Sequence, residues 1–72
     1  MNVTVYTKPN CVQCNMTKKR LEDKGIAYST VDITQDPEAL DKLISQGFQA
    51  APVVNVGDRW WAGFQPDEID SI

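Results

Sequence analysis

Two cysteines, Cys11 and Cys14, are the only thiols in the chain, and they stand with Val12 and Gln13 between them. A Cys-x-x-Cys pair supports three kinds of chemistry: it grips a metal, staples a small fold, or passes electrons by thiol–disulfide exchange. Zinc usually takes four ligands, from two such pairs or from added histidines. This chain has no histidine and no further cysteine, so only a dimer could assemble a four-thiolate site for zinc or a small iron–sulfur cluster. A secreted scaffold would use more than one disulfide. Exchange is therefore the first reading, with the dimeric metal site as a rival.

Exchange needs an ionised sulfur, because the thiolate is the nucleophile. A free cysteine titrating near pH 8.5 is only about 3% thiolate at pH 7. A helix N-terminus offers unpaired N–H groups and a partial positive charge, and both favour the ionised form. Bringing the titration to about pH 7 raises the thiolate roughly fifteenfold, of which reduced nucleophilicity cancels about fivefold. The larger gain is a better leaving group when the second thiol attacks. Cys11 falls where a helix begins, with Lys8 close in sequence as a possible second source of positive charge. Cys14 lies one turn further in, on a stripe with Thr17 and Leu21. This asymmetry predicts that Cys11 attacks a target disulfide and Cys14 resolves the mixed disulfide.

The elements that must hold this pair are legible. Asn2 to Thr7 is rich in Val, Thr and Tyr, as a strand should be, and Pro9 ends it. A helix starts near Cys11 and stops at Gly25. A second strand runs from about Ala27 to Ile33. In the next helix Asp36 caps, Pro37 takes the first position and Glu38 suits the dipole. Leu40, Leu43 and Ile44 are expected as its buried stripe, and Gly47 closes it. Two short apolar runs around Gly57-Asp58 predict a β-hairpin. A short last helix begins at Gln65-Pro66-Asp67-Glu68 and runs to Ile72; its shortness suits a natural chain that continues past Ile72. The order βαβ-ββα demands a parallel pair with a right-handed crossover, then antiparallel strands. The predicted fold is α/β, a four-stranded mixed sheet flanked by three helices, with residues 1–72 as one domain.

Composition narrows the partners. Seven basic and ten acidic residues give a net charge of −3, which argues against nucleic acid or an anionic membrane. The N-terminus shows no basic region followed by an apolar stretch, and no apolar run approaches bilayer length. The expected location is the cytosol, where structural disulfides rarely persist.

Ala51-Pro52 opens the third strand. An X–Pro bond can be cis at a tight turn, and a proline there leaves the backbone of Ala51 free to pair with an extended substrate segment. The plainer alternative is that Pro52 merely starts a strand.

With these parts assembled, the chain resembles the thioredoxin-fold redoxins, and more narrowly the NrdH-redoxin family. The matching residues are Tyr6-Thr7-Lys8-Pro9, Cys11-Val12-Gln13-Cys14, Ala51-Pro52-Val53-Val54, and Trp61-Ala62-Gly63-Phe64 with Pro66. The resemblance implies a thioredoxin fold and a small cytosolic hydrogen donor for class Ib ribonucleotide reductase. It implies thioredoxin reductase and the large subunit of ribonucleotide reductase as partners, NADPH as the electron source through the reductase, and no bound cofactor or metal. It also makes Cys11 the nucleophile, Cys14 the resolving thiol and Pro52 the cis proline beside them. We expect a monomer, with Lys8, Val12, Gln13, Ala51, Pro52, Trp61 and Phe64 contacting substrate. The family commonly carries Ser and Arg where this chain has Ala62 and Gln65, so any hydrogen-bond network built on those side chains is altered.

One rival within the same chemistry is a glutathione-dependent glutaredoxin. Such proteins place a Gly-Gly pair where this chain has Ala62-Gly63, and Phe64 is expected to obstruct the glutathione γ-glutamyl end. Another is a non-catalytic binding module, suggested by adjacent Trp60 and Trp61. Neighbours in a strand point to opposite faces. Trp60 is expected to pack inward, and Trp61 with Phe64 to form a contact surface for a reductase or substrate. The charge clusters Lys18-Lys19-Arg20 and Asp67-Glu68 are expected as solvated helix faces.

Overall fold

The computed structural model describes residues 2–72. Strand β1 (Val3–Thr7) leads to helix α1 (Val12–Asp23), then β2 (Ser29–Asp32), α2 (Pro37–Ser45), β3 (Val53–Val56), β4 (Arg59–Ala62) and α3 (Pro66–Asp70). Every predicted element is present, with β2 trimmed by two residues at its start and one at its end. The last helix stops at Asp70 rather than Ile72. The sheet order is β2-β1-β3-β4. β1 and β2 are parallel, and the other two pairs are antiparallel.

Local chemistry explains the boundaries. Asp36 Oδ1 accepts the N–H of Ala39 at 3.1 Å, and Pro37 fills the first helical position. At the hairpin, Gly57 takes φ +61°, which a two-residue loop with glycine first requires. That loop fixes the register: Val56 faces Arg59, Asn55 faces Trp60, Val54 faces Trp61 and Val53 faces Ala62.

The sheet carries a core on each face. On one, Leu21 of α1 and Ile69 of α3 pack over Val3, Val5, Val54, Val56 and Trp61. On the other, Leu43 of α2 packs with Tyr6 and Val53, with Val31, Ile33, Phe48 and Trp60 partly buried around them.

Three expectations are corrected. The tryptophans are reversed: Trp61 is 4% exposed and belongs to the first core, whereas Trp60 is half-buried on the other face. There it stacks on Tyr6 and Phe48 with centroids 5.9 and 6.1 Å away, under the Lys42 ammonium. The cause is register, since Trp60 lies opposite polar Asn55 and Trp61 opposite Val54. The stripe of α2 is only partly buried: Leu43 is covered, but Leu40 is 37% and Ile44 58% exposed, because the helix meets its sheet face chiefly through Leu43. The charge clusters are not simply solvated either. Arg20 makes a bidentate contact with Asp70, its shorter arm 2.6 Å, and Arg59 reaches Glu68 at 2.6 Å. Both tie α3 to the rest of the fold, and the Arg20 guanidinium holds the Asp70 carboxyl below the usual carboxylate range.

Candidate active site

The cysteine pair occupies the turn from β1 into α1. Asn10 bends the chain with φ +58°, a left-handed conformation that asparagine tolerates better than most residues. Cys11 then serves as N-cap of α1 in an extended conformation, and its Sγ accepts the N–H of Cys14 at 3.1 Å. The two sulfurs are bonded, with Cα atoms 5.2 Å apart, within the span that a disulfide requires. Cys11 is 8% exposed and Cys14 0%. The expected order of burial therefore holds, although Cys11 too is largely covered.

Of the two cysteines, only Cys11 has any exposure through which a partner could approach. A helix-turn N–H aimed at Cys11 Sγ favours negative charge on it. Cys14 shares a buried stripe with Thr17 and Leu21, and the Thr17 hydroxyl donates to the Gln13 carbonyl at 2.9 Å within the same helix. Val12 is 73% exposed and projects beside Cys11.

Two further segments meet this turn. The Ala51–Pro52 bond is cis, and the pairing of Tyr6 with Val53 brings Pro52 to the sheet end from which β1 leads to Cys11. Pro52 is fully buried and Ala51 half-buried. The turn after β4 closes the third side. Gly63 N–H donates to Pro52 O at 2.8 Å, Phe64 N–H donates to Gln13 Oε1 at 3.1 Å, and Gln65 Nε2 donates to Ala62 O at 2.8 Å. Gly63 has φ +83°, and a Cβ there would sit 3.4 Å from Gln13 Oε1. The Ala62 and Gln65 departures thus leave a laced turn, in which the Gln65 amide supplies one bond.

The proposed contact residues separate on this geometry. Cys11, Val12, Gln13, Cys14, Ala51 and Pro52 gather at one end of the sheet. Lys8 is exposed there and, with Ile33, Leu40, Ile44, Phe48 and Ala51, lines an open groove of about 160 Å³. Trp61 does not reach a contact surface: its ring is in the core beneath the Arg59 guanidinium, 5.2 Å from the ring centre. Phe64 is half-buried against the same core. Sequence reasoning missed that the Gln13 side chain binds the backbone of the turn after β4, a contact across 51 residues with no local signature. It also missed the bend at Asn10, for which Pro9-Asn10 before the helix was an available turn signal. Among the described residues no three His, Cys, Asp or Glu side chains converge as metal ligands, and no helix is long and apolar enough to cross a membrane.

The geometry can now be set beside known proteins. The glutaredoxin family model matches residues 3–61. The glutaredoxin-like protein NrdH of Salmonella typhimurium is 44% identical over 72 residues, covering 100% of this chain and 89% of that protein. Its counterpart from Lactococcus lactis subsp. cremoris is 46% identical over 70 residues, covering 97% of each. The solved structure of Escherichia coli NrdH-redoxin, described as a glutaredoxin-like protein with a thioredoxin-like activity profile, matches with a TM-score of 0.98 at 42% identity. It covers 100% of this chain and 95% of that one.

Proposed function

The chain belongs to the glutaredoxin family as a thiol–disulfide redox protein, and from that premise we propose that it is a cytosolic electron donor to ribonucleotide reductase, itself reduced by thioredoxin reductase at the expense of NADPH. The observation that carries the reading is a Cys11–Cys14 disulfide at a helix N-terminus, in a chain alike along its whole length to proteins named NrdH.

In the reduced protein the Cys11 thiolate attacks one sulfur of a target disulfide. A Cys11–target disulfide forms, and the second target sulfur leaves as a thiolate that takes a proton. Cys14 then loses its proton and attacks Cys11 Sγ. The Cys11–Cys14 bond forms and the first target thiol is released. Two electrons pass to the target, with one proton from Cys14 and one from solvent, and the reductase restores the dithiol by the same exchange in reverse. Cys14 is suited to the second step, because it is fully buried while its N–H already contacts the sulfur that it must reach. Ala51, half-buried ahead of the cis Pro52, offers backbone for an extended target segment.

The test is NADPH consumption with thioredoxin reductase and a disulfide taken from the large subunit of ribonucleotide reductase. Cys11→Ser is expected to abolish turnover, and Cys14→Ser to accumulate a mixed disulfide through Cys11. Equal trapping by both variants would overturn the roles. Rapid turnover with glutathione and glutathione reductase, with none from thioredoxin reductase, would reverse the choice of donor.

A further inference from the structure

We propose that Asn10 is the positioning residue of the nucleophile: its left-handed backbone, and not the Cys-x-x-Cys spacing alone, holds the Cys11 sulfur on the N–H of Cys14. Residues 8–11 carry the chain from the end of β1 to the start of α1, and few of their torsions are free. Pro9 fixes its own φ near about −65° and offers no N–H. Cys11 is already extended, with φ −111° and ψ 106°, as the N-cap of α1. The change of direction therefore falls on Asn10, at φ +58°, the one residue other than glycine with positive φ among those described. Proline followed by a positive-φ residue is the pattern of a type II turn, whose third position favours glycine or asparagine. A right-handed φ at residue 10 would swing Cys11 through roughly 120° about one bond. That swing would carry its sulfur off the N–H that now lies 3.1 Å away.

The Asn10 side chain is exposed and makes no hydrogen bond among the described residues. What the residue contributes is a backbone conformation that most others avoid. Redox state decides when this matters. In the oxidised protein the bond to Cys14 also restrains Cys11. Once that bond opens, the loop alone keeps the sulfur over the helix, so residue 10 acts in the form that attacks. Little else nearby sets the charge on Cys11. The first turn of α1 holds no acidic side chain. Val12, Gln13, Ala51, Pro52 and the turn of residues 63–65 are uncharged, and Lys8 is the one charged side chain of the loop. The remaining titratable group is Cys14 itself, which is fully buried. The inference rests on Cys11 as the ionised attacking thiol and names the residue that keeps it so.

The test is the pH dependence of iodoacetamide alkylation at Cys11 in the reduced protein, with the modified residue identified by mass spectrometry. It compares the unmodified chain with Asn10→Gly, Asn10→Ala and Asn10→Val. Glycine enters the left-handed region freely, alanine does so at a cost, and a β-branched residue does so least of all. Asn10→Gly is expected to titrate like the unmodified chain, and Asn10→Ala above it. Asn10→Val should titrate about one unit above it, as loss of a hydrogen bond to the ionised form implies. Attack on a peptide disulfide at neutral pH should slow about twofold in Asn10→Val, because lost thiolate is partly offset by greater nucleophilicity. The shift should persist in high salt, where any share from Lys8 is screened. An unchanged titration in Asn10→Val, or in Asn10→Ala where the valine variant does not fold, would overturn the inference, as would a shift that salt abolishes. A shift in Asn10→Gly as large as that in Asn10→Val would also overturn it, by placing the effect in the amide side chain. An unmodified chain whose Cys11 titrates near about 8.5, as a free cysteine does, would instead overturn the thiolate reading on which it rests.

Discussion

Helices α1 and α2 flank one sheet from opposite sides, and they bury themselves very differently. α2 has the stronger apolar stripe in sequence, yet only Leu43 is covered and Ile44 is left largely in water. α1 is mostly polar and charged, yet Cys14, Thr17 and Leu21 are wholly buried. The difference lies in what each helix meets. α1 lies over Val5, Val54 and Trp61 and is backed by Ile69 of α3, with Arg20 and Asp70 closing the seam. Among the described residues, no second helix contributes a core residue to the face of α2. Apolar content decides whether a helix can be buried; its neighbours decide whether it is.

This contrast can be broken by substitution. The largest effect is expected from Trp61→Ala on the α1 face, about 4 kcal/mol in urea unfolding, a large share of the stability of a domain this size. Trp60→Ala on the α2 face should cost clearly less, and equal losses would refute the division of the core. Leu21→Ala should cost about 3 kcal/mol, whereas Ile44→Ala should stay within about 0.5 kcal/mol. Glu68→Gln, which breaks the contact from Arg59 to α3, should cost no more than about 1 kcal/mol, with the loss shrinking in high salt. The smallest effect is a pH slope that belongs to the α1 face. Partial burial, with a hydrogen bond to Glu22, pushes Tyr28 up to about 12 from 10.0. A raised folded value means that its contribution is whole below about pH 10 and disappears as the pH climbs through about 12. Tyr28→Phe should flatten unfolding curves in that window alone.

The same contrast explains what the sequence made legible. Strand and helix positions followed from β-branched runs, caps and the Gly57-Asp58 turn, all of which act locally. One turn of helix also foretold the order of burial, with Cys14 covered beside Thr17 and Leu21. Leu40 and Ile44 misled because periodicity marks a face without saying how much lies opposite it. Trp60 and Trp61 misled for a recoverable reason. Counting back from the two-residue loop pairs Trp60 with Asn55 and Trp61 with Val54, and the apolar partner marks the inner face. Gln13 to Phe64, and Arg20 to Asp70, span about fifty residues. No local pattern announces such pairs; they exist only once the sheet has brought the ends together.

The Cys14 amide leans on the sulfur of Cys11, so a single atom both begins the helix and carries the electrons. Capping side chains typically contribute about 1 kcal/mol. A reagent that alkylates Cys11 should therefore leave two marks at once, a silenced redox couple and a domain that melts several degrees earlier.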